Sequence, residues 1–337
     1  MFQITNRALA NAKLIDMLRD LSTVATLDNE VFRARGFINA IKVLRCSDEI
    51  RTREDVEKLR IGDKMKMRFL EYIRTRELRE CIAIHRKPGM AQFIAFGRIP
   101  YMTHKLAHAA AFKHKFSNYK ELLNLPITPM LRNSITHYED SQLPIPRHEI
   151  TILLHALEKI ARKALSNKIR IMACGSYRRQ LPQSKDIDVL ITGPRNNLEQ
   201  CIHALKSNGF LTTSIRHGPV MFSGYCQLRN AYFKGTRKAL SSSQWKEMKD
   251  RDYHPVRRID IRWFSPKNFW PAVVYFTGSA NLNIEMRCRA QEKGLHLNEY
   301  GISSSKNKKK EAIHIGSEKA LFRLVGMPYV EPKHRSI

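Results

Sequence analysis

No stretch of the 337 residues reaches the roughly 18 consecutive apolar residues that a membrane-spanning helix needs, so such a helix is not expected. The six cysteines, Cys46, Cys81, Cys174, Cys201, Cys226 and Cys288, are scattered, and none forms a C-x-x-C pair. That pattern is neither a zinc framework nor a disulfide scaffold, and it makes a reducing, intracellular compartment the default. The first residues lack a continuous apolar core, so a secretory leader is not expected and the chain reads as not secreted. Arg7, Lys13 and Arg19 alternate with Asp16 and Asp20 there, which leaves a mitochondrial leader open. Acidic residues are scarce: 31 Asp and Glu stand against 59 Lys and Arg, a net charge of +28. Such an excess speaks of partners and points to a polyanion. The basic residues run along the whole chain instead of crowding one amphipathic helix. That distribution suits a nucleic-acid track better than a membrane surface. With 43% hydrophobic residues over this length, the chain can bury more than one core.

What is present is concentrated in Cys174-Gly-Ser-Tyr-Arg-Arg-Gln-Leu-Pro-Gln-Ser-Lys-Asp-Ile-Asp-Val-Leu-Ile191. Gly175-Ser176 is a small-residue turn whose backbone N–H groups can approach a phosphate. Arg178 and Arg179 follow, and a guanidinium forks onto phosphate oxygens. Asp186-Ile187-Asp188 then enters the β-branched run Val189-Leu190-Ile191, which reads as a buried strand. Strand side chains alternate, so Asp186 and Asp188 share one face and Ile187 is buried on the other. A D-x-D pair at a strand end is often only a solvated edge. A third carboxylate shifts the balance. In Arg257-Arg258-Ile259-Asp260-Ile261-Arg262-Trp263 the period of two puts Arg258, Asp260 and Arg262 on one face. Adjacent strands would bring Asp260 beside Asp186 and Asp188. Clustered carboxylates stay ionised when a hard divalent cation sits between them, which points to metal-assisted nucleotidyl transfer.

These motifs, together with Tyr275-Phe-Thr-Gly-Ser279, Asn298-Glu-Tyr300 and Glu331-Pro-Lys-His-Arg-Ser336, resemble a family X DNA polymerase of the DNA polymerase β-like kind. The resemblance spans nearly the whole chain and implies an α+β fold. An all-α N-terminal DNA-binding domain would precede a nucleotidyltransferase-type palm, a mixed sheet with helices, with flanking helical and α/β subdomains. The implied divisions are a lyase-like helix-hairpin-helix domain at 1–85, a helical DNA-binding subdomain at 88–145, the palm at 146–263, and a nascent-base-pair-binding subdomain at 264–337. The implied cofactor is Mg²⁺, two per active site and held by Asp186, Asp188 and Asp260, with Mn²⁺ as the alternative ion. Implied nucleotide contacts are Ser176, Arg179, Lys185, Tyr275, Phe276, Gly278 and Asn283. Implied DNA contacts are Arg33, Gly62, Lys64, Arg68, Arg258 and Arg287. Glu299 is expected to pair with Arg262 when the C-terminal subdomain closes. Lys185 and Ala280 depart from the family pattern, which has glycine and an acidic residue there.

Taken in order, residues 5–24 read as a helix and 28–45 as a second, with Asp28 as N-cap. The basic face of the second helix, with Arg33, is either a solvated surface or a phosphate pocket. A helix-hairpin-helix resemblance around Gly62 is degraded, with one glycine where the family has two. At the position of the family's Schiff-base lysine stands Arg68, which stays protonated and cannot form an imine. Lys64, one turn earlier, is the nearby substitute, so the lyase nucleophile is not assigned and the activity is expected to be absent. A second hairpin near Phe96–Leu106 carries Arg98 and Pro100 in place of glycine, and Pro100 removes a backbone donor. His85, His104, His108 and His114 are read as a solvated, DNA-facing surface. Residues 217–228 read as a strand pair, 229–255 as a polar surface loop and 303–312 as a basic loop. Tyr275-Phe276 reads as the end of a strand, and Ser317–Val325 as a helix.

The function these features predict is template-directed nucleotidyl transfer from a dNTP to a primer 3′-hydroxyl, filling gaps in base excision repair. The expected partners are gapped or nicked double-stranded DNA and dNTPs, with repair proteins as further partners. The protein is expected to act as a monomer, without a membrane, in the nucleus or alternatively the mitochondrion. Three other readings stand beside this one: a template-independent DNA nucleotidyltransferase, a non-catalytic DNA-binding repair scaffold, and an RNA-tailing enzyme.

Overall fold

The computed structural model describes residues 11–165, 168–233, 236, 240–304 and 313–335. The chain divides into two compact units, Met1–Thr136 and His137–Ile337. The first is all-helical. Ala12–Leu27, Val31–Cys46, Asp63–Thr75 and Arg79–His85 enclose a core of Leu14, Leu18, Leu21, Phe37, Leu44 and Phe69. Met90–Gly97 and His104–His108 follow, and the latter runs into a π-helical turn, Ala109–Lys113.

The second unit is built on a mixed five-stranded sheet, with two small two-stranded sheets beside it. The strands of the unit are β1 Ile145–Pro146, β2 Arg170–Ala173, β3 Gln183–Ser184, β4 Ile187–Thr192, β5 Leu211–Gly218, β6 Met221–Gln227, β7 Val256–Trp263, β8 Leu295–Asn298 and β9 Gly301–Ser304. The small sheets are β1-β3 and β8-β9. The central order is β2-β4-β7-β6-β5, with β4 and β7 parallel and the other pairs antiparallel. Helices Arg147–Leu165 and Leu198–Ser207 cover one face, packing Ile152, Leu157 and Ile202 on Ile187, Val189, Ile259 and Ile261. Helix Phe269–Thr277 covers the other, where Leu190 meets Phe264, Phe269 and Val273. β4 is therefore buried on both sides, which is why its sequence is apolar beyond the aspartates. Ala280–Glu292, β8–β9 and Glu318–Val325 form a further core around Met286, Ile302 and Phe322. The α+β architecture expected from the sequence is the one present.

Several local expectations need correction. The first helix extends to Leu27, and the part expected over residues 5–10 lies outside the described residues. Asp28 closes that helix, and the second begins at Val31 with Glu30 at its N-cap. The turn falls at Asn29, whose φ of 59° is left-handed, a conformation asparagine tolerates. Residues 229–255 are more than a loop. Ser241 and Gln244 form a capping box that starts a helix, Ser242–Lys249, with Met248 buried and Trp245 edge-on to Phe233. Residues 305–312 of the expected basic loop lie outside the described residues. Tyr275-Phe276 ends a helix, Phe269–Thr277, instead of a strand. That helix is apolar nearly all round because it is packed between two cores, and periodicity cannot separate such a segment from a buried strand. Helix Glu318–Val325 is present as expected, with Ser317 as its N-cap. Among the described residues no helix is long and apolar enough to cross a membrane.

Candidate active site

The parallel pairing of β4 and β7 fixes the site. Its register sets Ile187 opposite Ile259 and Asp188 opposite Asp260. The isoleucines point into the face covered by helices Arg147–Leu165 and Leu198–Ser207, so both aspartates point to the other. Asp186 stands immediately before β4. Burial, reinforced by Asp186 and Asp260, pushes the Asp188 carboxyl up to about 7. Burial, with Asp260, also raises Asp186, against the opposing pull of Arg258 and Lys185. Arg258 Nη2 lies 3.6 Å from Asp260 Oδ2. The three carboxylates are neighbours but have not closed into one cluster. Among the described residues, the only group of three potential ligands whose atoms all lie within 4.8 Å of one another is Asp20, Cys81 and His85.

The Gly-Ser turn lies directly against this pair. Gly175 opens the short helix Gly175–Arg178 with φ of 59°, and a Cβ there would come within 2.4 Å of Asp188 Oδ2. The backbone N–H of Cys174 donates to the carbonyl of Asp188 at 2.8 Å. Ser176 Oγ donates to Ser184 Oγ at 2.7 Å, which fixes the turn against β3. Arg179 Nη1 donates to the Thr277 carbonyl at 2.6 Å. Lys185 is exposed beside Asp186.

The segment 275–279 is the far wall. Tyr275 and Phe276 meet edge to face, with ring centroids 5.0 Å apart. Asn283 Nδ2 donates to the Tyr275 carbonyl at 2.8 Å, and the Arg287 guanidinium sits 5.2 Å from the Tyr275 ring centre. Gly278 has φ of 66°, and a Cβ on it would stand 3.5 Å from Arg179 Nη1. Glu299 lies 3.9 Å from Arg287, and Arg262 stacks over Phe276 at 5.0 Å.

The sequence reading missed a buried network beneath this wall. Arg178 donates to Thr277 Oγ1 at 2.8 Å and pairs with Glu318, which also binds Arg335 Nη2 at 2.6 Å. Arg335 belongs to the C-terminal motif noted in the sequence. Glu318, in the first turn of helix Glu318–Val325, lies outside every motif noted there. Glu149 and Arg257 form a second buried pair at 2.6 Å, which anchors helix Arg147–Leu165 to β7.

In the N-terminal unit, Arg33 and Arg68 converge on Glu80. Arg68 Nη2 is 2.7 Å from Glu80 Oε2, and Phe37 lies beneath both guanidinium groups. The two arginines overcome burial and hold the Glu80 carboxyl below its usual range. Arg33, Gly62, Lys64 and Arg68 line one cavity of about 770 Å³. The histidines do not gather with one another: His104 and His108 stack on each other and around Phe93, and His85 contacts Asp20.

A family model described as DNA polymerase beta palm matches residues 144–266, and one described as DNA polymerase beta thumb matches residues 272–336. The chain is 25% identical over 346 residues to DNA polymerase lambda of Rattus norvegicus, covering 96% of this chain and 56% of the relative. It is 24% identical over 347 residues to DNA polymerase lambda of Arabidopsis thaliana, covering 96% of this chain and 60% of the relative. The chain thus spans less than two thirds of the length of either relative.

Proposed function

The chain belongs to family X of the DNA polymerases, the polymerase β-like group, and from that premise we propose that it is a template-directed DNA polymerase that fills gaps in base excision repair. The observation that carries this reading is the β4–β7 register, which puts Asp188 and Asp260 side by side with Asp186 next to them. The donor set is all carboxylate oxygen, with no thiol or imidazole, and that chemistry fits Mg²⁺, or Mn²⁺ in its place. Asp186, Asp188 and Asp260 are the residues that would hold it. A divalent cation held there would supply Lewis acidity toward the primer 3′-hydroxyl and would offset the negative charge of the pyrophosphate.

The remaining side chains bind and orient. Gly175 lets the turn lie on Asp188, and Ser176 and Arg179 receive the β- and γ-phosphates of the dNTP. Lys185 adds positive charge beside them. Arg258 steers Asp260 through their ion pair. Tyr275 and Phe276 border the sugar, with Gly278 allowing the backbone close. Asn283 reads the incoming base and Arg287 the template strand.

The N-terminal unit serves as a DNA clamp without lyase chemistry. Arg33, Gly62, Lys64 and Arg68 meet the 5′-phosphate side of the gap, and Arg68 keeps its charge and its Glu80 partner. The working division is 1–85, 88–145, 146–263 and 264–337. The proposed setting is nuclear DNA, with mitochondrial DNA as the alternative, and the protein works as a monomer alongside other repair proteins.

The test is a one-nucleotide gapped duplex with a 5′-phosphate, Mg²⁺ and each dNTP in turn. Insertion of only the complementary nucleotide supports the reading. Equal extension of single-stranded DNA makes the protein a template-independent transferase. Tight binding without insertion leaves a scaffold.

A further inference from the structure

The N-terminal unit places a carboxylate, a thiol and an imidazole together at a cavity that the proposed polymerase chemistry does not use. Cys81 and His85 are four residues apart on helix Arg79–His85, so they share one face a turn apart. Asp20 comes from the middle of helix Ala12–Leu27, which packs against it. His85 Nε2 lies 2.8 Å from Asp20 Oδ2. One ligand atom from each of the three residues falls within 4.8 Å of the other two. Tetrahedral zinc with thiolate, imidazole and carboxylate ligands sets its ligand atoms roughly 3.3–3.6 Å apart, from bond lengths of about 2.0–2.3 Å. Closing on an ion would open the His85–Asp20 pair by about 0.5 Å and draw any wider pair in by at most about 1.5 Å, within the reach of side-chain rotation.

We propose that Asp20, Cys81 and His85 form a zinc site that staples helix Ala12–Leu27 to helix Arg79–His85. The donor set selects the ion. A thiolate and an imidazole suit zinc and repel magnesium, while the all-oxygen aspartates of the second unit do the reverse. The two sites would therefore load different metals from one solution. Asp20 is already oriented for the task. Its Oδ1 accepts from Arg98 while Oδ2 faces His85, so one oxygen ligates and the other keeps its supporting hydrogen bond. A cavity of about 700 Å³ borders all three residues and leaves a fourth position open to water or to Asp16 on its rim. Binding releases one proton, from the Cys81 thiol, together with zinc-bound waters, and involves no change of oxidation state. The alternative is a His85–Asp20 hydrogen bond beside an inert buried thiol.

The full-length chain is stripped with a chelator and titrated with Co²⁺ as the optical probe, then with Zn²⁺. The expected result is one equivalent of Co²⁺ with a near-ultraviolet thiolate-to-metal band and intense visible bands of a four-coordinate ion, all displaced by Zn²⁺. Cys81→Ser abolishes the thiolate band. His85→Ala, at a partly exposed position that should fold normally, raises Kd on the order of 100-fold. Zn²⁺ raises the Tm of the wild type and leaves that of Cys81→Ser unmoved. No thiolate band in the wild type, or a band that survives both substitutions, overturns the proposal. Asp186→Ala should leave the Co²⁺ spectrum as it is, which keeps this outcome separate from the fate of the polymerase assignment.

Discussion

Asp188 and Asp260 are register partners on adjacent parallel strands, each placed by an isoleucine neighbour that the core will not release. Their proximity is unfavourable to the folded protein while both are charged. Unfolded aspartate releases its proton near pH 4. In the fold, burial and the neighbouring carboxylates hold the Asp188 proton to about 7. The native state therefore carries the extra proton between those values. That contribution is complete below pH 4 and is lost as pH rises toward and through 7. Asp188→Asn removes the penalty. Urea denaturation in the presence of a chelator should find it more stable than wild type at pH 8, by on the order of 2–4 kcal/mol, with the gap closing near pH 4. A variant equally stable or weaker at pH 8 would contradict this electrostatic picture.

Gly175 has a second constraint besides its positive φ, because a methyl group there would collide with Asp188. Gly175→Ala should cost about 1–2 kcal/mol of stability. Displacing the carboxylate should cost more in turnover, on the order of 10²-fold in kcat/KM for gap filling. Steady-state kinetics with unaltered kcat/KM would show that the turn does not set the Asp188 position.

Glu149 and Arg257 are both fully enclosed, and Arg257 stands immediately before Arg258, the ion-pair partner of Asp260. Glu149→Ala leaves a buried guanidinium without its carboxylate and should cost about 3–5 kcal/mol. Replacing both residues by apolar side chains of similar volume should recover most of that. Equilibrium urea curves for the single and double variants decide it, and a mild single-variant effect would mean water replaces the pair.

Arg68 should leave the N-terminal unit without imine chemistry. Borohydride reduction in the presence of a 5′-deoxyribose phosphate duplex should trap no covalent adduct with the wild type. An adduct that disappears in Lys64→Ala would instead identify Lys64 as the nucleophile.

The palm was legible in the sequence because the Asp186-Ile187-Asp188 step into a buried apolar run and the period-two alternation of Arg258–Trp263 encode both the burial and the carboxylate face. What failed did so for physical reasons. The run Phe269–Thr277 has the composition of a strand but the surroundings of a helix core. The Arg178–Glu318–Arg335 network joins residues up to 157 positions apart. Looking for C-x-x-C pairs passed over Cys81 and His85, whose four-residue helical spacing was the available signal.

The most direct measurement compares wild type with Asp260→Ala on the one-nucleotide gapped duplex, with Mg²⁺ and the complementary dNTP. The account predicts templated insertion by the wild type and a loss of at least about 10³-fold in the variant, with DNA affinity retained. Insertion that survives Asp260→Ala would mean that the β4–β7 carboxylate pair is not where the chemistry happens.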